Sequence, residues 1–183
     1  MNLKDVKEQI LALIEELNPS SYTLTDDPDI ANKLNFVINQ IQIELTRIKK
    51  LPAKKEIEVT KGQSMLTTEI DPNIYQLSVI RDVNYCMIND TIIFNEDGKA
   101  TIYYYKYPKL ITHENESTYK LELPMDLMQI LPYGVAGDIL KSDISANYGT
   151  IYANRYEQMK QSIDPRYTTT TVYLNEEGEE YDI

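Results

Sequence analysis

Residues 47–63, RIKKLPAKKEIEVTKGQ, contain the point at which the chain changes its period. Upstream, apolar residues recur every three or four positions: Leu3, Val6, Ile10, Leu13, Ile14 and Leu17, then Ile30, Leu34, Val37, Ile41, Leu45 and Ile48. That spacing gathers them on one face of a helix. Asn2 is placed to cap the first helix and Asn18-Pro19 to stop it. Asp27 can cap the second, Pro28 suits its first turn, and Asp29 complements the positive end of its dipole. This second helix runs to Lys49-Lys50, before Pro52. From residue 56 the apolar residues alternate instead, with Ile57 and Val59 on one side and Gly62 in the turn beyond, which is the period of a strand. The basic residues at the join read as the solvated C-terminal end of the helix, where the macrodipole favours cations.

Beyond this join, IYQLSVIRDVNYCMI, TIIF and ATIYYYKY are rich in β-branched and aromatic residues and are separated by turn sequences. One of these turns, NEDGK, offers Gly98 for a positive φ. With YKLEL at 119–123 they predict four or five antiparallel strands within residues 56–122. Helical spacing returns at Pro124, with Pro132 kinking or restarting the third helix. A last helix carries Tyr148, Ile151, Tyr152, Tyr156, Met159 and Ile163 on one side before Asp164-Pro165. The fold class that follows is α+β: a small bundle of about four helices, from residues 1–55 and 123–165, with an inserted antiparallel β domain at 56–122. Residues 166–183 read as an extended acidic arm.

The chain has 183 residues and a formal net charge of -11, enough length to bury a core and the wrong sign to wrap nucleic acid. Fifteen tyrosines against two phenylalanines and no tryptophan suit half-wet sheet faces and subunit contacts. A single cysteine cannot form an intramolecular bridge, and no charged-then-apolar leader opens the chain, so a reducing cytoplasmic site of synthesis is expected. No apolar run has the length of a membrane span, and no membrane partner is expected.

The inventory for chemistry is thin. His113 is the only histidine, and Cys86, in an apolar run, reads as a small buried side chain, so no Cys/His pair or His-based metal site is expected. Asp26, Asp27 and Asp29 look like the start of a calcium loop but lack the later glycine and bidentate glutamate, so capping is the better reading. Neither phosphate-binding glycine motif is present. No cofactor, metal or catalytic residue is expected, although pairs drawn from 29 acidic residues leave a carboxylate hydrolase as a distant alternative.

Three stretches carry a resemblance: TDDPDIANKLNFVINQIQIELTRIKKLPA, LELPMDLMQILPYGVAGDILKSD and YGTIYANRYEQMKQSI. In this order around a β region, the chain resembles the head–tail adaptor (connector) proteins of tailed bacteriophages. The resemblance implies a helical bundle with a β insertion and a structural virion protein synthesised in the host cytoplasm and located in the neck, between head and tail. It also implies a ring of copies, commonly dodecameric, that docks under the portal protein, links to tail proteins and extends the channel through which genomic DNA passes without specific binding. The family implies no catalysis. The alternative from a different class is a monomeric binding module or assembly chaperone that uses its C-terminal arm.

Two features fit contacts of either kind. At 100° per residue, Leu131, Val135, Ala136 and Ile139 share one side of the third helix, and Gly134, Gly137, Asp138 and Lys141 fall opposite. The bare side reads as a subunit interface, with the alternative that Gly134 only relieves strain beside Pro132. In the arm, Thr168, Val172, Tyr173 and Leu174 favour an extended strand with no partner in sequence, followed by Glu176, Glu177, Glu179, Glu180 and Asp182. This reads as a portal-binding segment that adds a strand to its partner; the bland reading is a frayed terminus.

Overall fold

The computed structural model describes residues 2–114, 118–142 and 147–163, with two short segments, Tyr173–Leu174 and Glu180–Tyr181. The protein is α+β, as its periodicities require. Helix α1 (Leu3–Leu13) opens with a reciprocal cap: the Asn2 side chain accepts from the Asp5 N–H at 2.9 Å, and the Asp5 carboxylate accepts from the Asn2 N–H at 3.1 Å. It ends before Leu17 and well before Pro19, because Glu15 turns the chain through a left-handed conformation (φ 62°). Helix α2 (Pro28–Ile48) starts on Asp27, whose carboxylate accepts from the N–H groups of Asp29 and Ile30 at 2.8 and 3.2 Å. Its buried stripe takes in Ile38 and Gln42 besides Leu34, Val37, Ile41 and Leu45, whereas Ile30 and Ile48, also identified by the spacing, are half-buried.

Two residues after α2 the chain is already a strand. One sheet has the order β1-β6-β3, from β1 (Leu51–Val59), β3 (Ile74–Arg81) and β6 (Gly98–Lys106). The other has the order β2-β5-β4, from β2 (Ser64–Leu66), β4 (Tyr85–Ile88) and β5 (Thr91–Phe94), and the single turn α3 (Thr67–Ile70) links β2 to β3. All pairings in both sheets are antiparallel. Pro52 is accommodated in β1 because β1 is an edge strand. Gly62 takes φ 83° in the β1–β2 turn, as the sequence suggests. The two sheets share a core of Val59, Ile80, Val83, Ile92, Phe94, Ala100, Ile102 and Tyr104.

The β region therefore begins at 51, and its last strand ends at 106. Residues 119–123, expected as a final strand, join neither sheet: Lys120 makes one isolated bridge with Asn2, and Tyr119, Leu121 and Leu123 bury themselves in the helical core. This returning segment is held by side chains instead of a ladder. Asn39 donates through Nδ2 to the Ile111 carbonyl at 3.0 Å and accepts from the Ile111 N–H at 2.8 Å. Gln42 Nε2 donates to Asn39 Oδ1 at 2.9 Å and to the Lys109 carbonyl at 3.3 Å. The Tyr119 hydroxyl lies 2.5 Å from that carbonyl and 3.1 Å from Gln42 Oε1, one proton between two acceptors. Burial pushes the Tyr119 phenol up to about 12.

Helix α4 (Met125–Ile139) runs unbroken through Pro132 and packs against α1, α2 and α5 (Tyr148–Gln161). Tyr152 of α5 donates its hydroxyl to the Leu13 carbonyl at 2.6 Å, satisfying the end of α1. Lys160 pairs with Glu44 of α2 at 2.6 Å. The basic join is not simply a solvated helix end. Lys49 pairs with Asp126 at 2.6 Å, and Lys50, Lys54 and Lys55 belong to the sheet side of the junction.

Replacing Asn39 by Ala removes both partners of the Ile111 backbone in a buried setting. An unsatisfied buried group costs about 1–3 kcal/mol, so Asn39→Ala should lower the urea midpoint by that much free energy with an unchanged denaturant slope.

Candidate interaction surfaces

The glycine side of α4 is occupied, and by this chain itself. A Cβ on Gly134 would stand 2.8 Å from the Tyr156 ring and 3.0 Å from Ile41, and one on Gly137 would stand 3.0 Å from the Ala153 backbone nitrogen. Both glycines are buried, which corrects the reading of Gly134 and Gly137 as a subunit interface: they let α5 come close to α4. Gly149 repeats the device at the start of α5, where a Cβ would meet the Leu140 carbonyl at 2.9 Å. The arc opposite the apolar one is not left to solvent: the apolar arc of α4 faces α1 and α2, the glycine arc faces α5, and the exposed positions are Met125, Gln129 and Asp138. Asp138 and Lys141, from the same set, are exposed.

Helix α5 does not bury the whole of its expected face. Tyr156 and Ile163 are buried, whereas Tyr148 and Ile151 remain 55% and 56% exposed. The Tyr156 phenol is raised by burial and then by the nearby Glu44 carboxylate.

A second open apolar surface lies on the β2-β5-β4 sheet. Pairing sets Ile88 opposite Thr91, Cys86 and Ser64 opposite Ile93, and Leu66 opposite Thr91, all on the side away from the buried Ile92 and Phe94. Ile88 is 60% exposed and Leu66 47%. Cys86 is exposed as well, which corrects its reading as a buried side chain: β4 is an edge strand, so an apolar run there does not imply burial. Strand β4 carries no charge and no proline, unlike β1 with Pro52, Lys54, Lys55, Glu56 and Glu58.

In the C-terminal part, Thr168 and Val172 lie outside the described residues. Tyr173–Leu174 forms β7 and pairs antiparallel with β8, Glu180–Tyr181. The reading of a strand without a partner is thus corrected.

The outer face of the β1-β6-β3 sheet is polar and aromatic. Lys54 and Arg81 lie over the Tyr103 ring at 5.9 and 5.5 Å, and Lys50 lies over Tyr105 and Tyr75 at 5.1 and 5.9 Å. The Tyr75 and Tyr107 rings meet at a tilt of 56° with centroids 4.9 Å apart. At the far end, Glu56 accepts from Lys54 at 2.6 Å and from Lys99 at 2.5 Å. The hydrogen bonds from Lys54 and Lys99, followed by their charges, hold the Glu56 carboxyl down to about 2. Among the described residues no group of His, Cys, Asp and Glu has a metal-binding arrangement, and no helix is long and apolar enough to cross a membrane. No protein-family model matches this chain, and no curated protein is similar enough to count as a match.

Adding a methyl at Gly134 gains about 1 kcal/mol of helix propensity but overpacks a buried ring, which costs about 1–3 kcal/mol. Gly134→Ala should therefore be neutral to destabilising, and Gly137→Leu, which must push the α5 backbone away, clearly destabilising, both read as a fall in melting temperature. For Glu56, the ion-paired carboxylate is present above its unfolded value and is lost only as pH falls through about 2. Its carboxyl carbon shift should titrate near that pH, and Lys99→Gln should move the midpoint up towards the ordinary range.

Proposed function

We propose that this chain is a head–tail adaptor of a tailed bacteriophage, a structural virion protein of the neck. Copies form a ring beneath the portal protein, extend the DNA channel and present a surface to tail proteins. The observation that carries the reading is the pair of separate, uncovered apolar surfaces, Leu66 and Ile88 on the β module and Tyr148 and Ile151 on α5. A ring needs two different patches per subunit, because each copy meets its neighbours through unlike faces. The helical body interrupted by a β module between α2 and α4 is the order that the resemblance implies. Asp138 and Lys141, exposed at the end of α4, would lie at or near a contact, and Tyr173 and Leu174 belong to the segment that reaches the portal.

The test is assembly. Ile88→Glu and Ile151→Glu replace exposed side chains and should leave the melting temperature of the isolated chain within about 1–2 °C, since such surface changes usually stay within ~0.5 kcal/mol. Each should reduce co-sedimentation with the portal protein and the mass of the assembled species at least tenfold. A chain that stays monomeric and does not bind portal would favour the binding-module reading instead.

A further inference from the structure

The Lys50–Tyr105–Tyr103 face of the β1-β6-β3 sheet has no assigned role, and its charge is opposite to that of the chain. Across a protein of net charge -11, this face brings Lys50, Lys54 and Arg81 over three tyrosine rings. Its carboxylates, Glu56 and Glu58, stand at one end beside Lys99, with Asp82 after Arg81; the half built from Lys50, Tyr75, Tyr103, Tyr105 and Tyr107 has none. Lys50 donates to the neutral Gln76 at 2.7 Å, and neither it nor Arg81 has an ion-pair partner among the described residues. Ring contacts hold these cations in place, so a carboxylate arriving there meets donors whose freedom is already reduced.

From this geometry we infer that the face is a docking site for a carboxylate-rich segment, and that the segment is this chain's own C-terminus, residues 176–182. The charges are complementary: Glu176, Glu177, Glu179, Glu180 and Asp182 concentrate five carboxylates there. Three of them, Glu176, Glu177 and Glu179, fall between Leu174 and Glu180 in sequence, within five residues of one another. The point of departure also fits. Tyr156 packs beside Gly134 and Ile41, and Lys160 pairs with Glu44, so α5 runs in the same direction as α2, towards the β module. Lys50 stands six residues beyond Glu44, about 9 Å along the helix direction. The 13 residues from Ile163 to Glu176 can span up to about 45 Å. Linkage within one chain raises the local concentration of the segment to about the millimolar range, enough for a modest intrinsic affinity to hold it. The inference is independent of the adaptor reading.

The test uses a fluorescein-labelled peptide spanning Tyr173 to Ile183 and a chain ending at Pro165. The truncated chain should bind the peptide, with affinity falling steeply as sodium chloride is raised to about 0.5 M. The full-length chain, its face occupied, should bind at least tenfold more weakly. Lys50→Gln with Arg81→Gln in the truncated chain should weaken binding at least tenfold while circular dichroism and melting stay unchanged; Lys54→Gln is the second variant should that pair melt early. Equal binding by full-length and truncated chains would overturn the inference by showing that the segment does not cover this face in its own chain. Binding indifferent to these cations, or tighter binding of a single-stranded oligonucleotide of equal charge, would overturn it too, the latter by marking the face as a nucleic-acid platform.

Discussion

The approach of α5 to α4 is the contact on which the helical body depends. Helix α4 packs against three neighbours, with α1 and α2 on its apolar arc and α5 on its glycine arc. A helix must present small residues wherever a neighbour's backbone is to come within van der Waals distance; Gly134 and Gly137 meet that demand on α4, and Gly149 meets it on α5. What this packing forgoes in helix propensity it recovers in buried area, since the Tyr156 ring could not otherwise lie against Ile41 and α4 together. Pro132 fits the same logic. Its missing N–H leaves the Met128 carbonyl without its helical donor, while the ring adds apolar surface to a position buried in the core.

The two cores are joined by polar contacts. Lys49–Asp126 and Lys106–Glu122 bracket the junction, and the Asn39–Gln42–Tyr119 cluster fastens the returning chain to α2. These contacts set orientation more than they add stability, because hydrogen bonds and partly exposed ion pairs contribute little net free energy but specify geometry strongly. The surfaces available for partners are then those that neither core covers.

Much of this was legible in the sequence, for local reasons. Asn2, Asp27 and Pro28 act within a few residues, and the change from a period near 3.6 to a period of 2 at residues 47–63 marks the transition from helix to sheet. What was not legible depends on neighbours that the sequence does not place. Tyr119, Leu121 and Leu123 alternate as a strand would, yet the surface they cover is helical. Cys86, Met87 and Ile88 look like core until β4 is known to be an edge. The glycines of α4 look like an outward face until α5 is laid on them. The same limit applies to the Lys50 face, because Lys50, Arg81 and Tyr105 are far apart in sequence and are brought together only by the β1-β6-β3 order.

Leu51 and Lys106 are partners in the β1–β6 ladder, so the module's entry and exit are adjacent. Opposed residues in such a ladder stand about 5 Å apart, a gap that a tight turn between α2 and the returning chain could bridge. The module is in this sense a cartridge: a lineage could gain, lose or exchange it without altering the helical scaffold. Divergence should therefore run at different rates in the two parts, with the β surface free to follow a changing partner while α4 and its glycines hold the body constant.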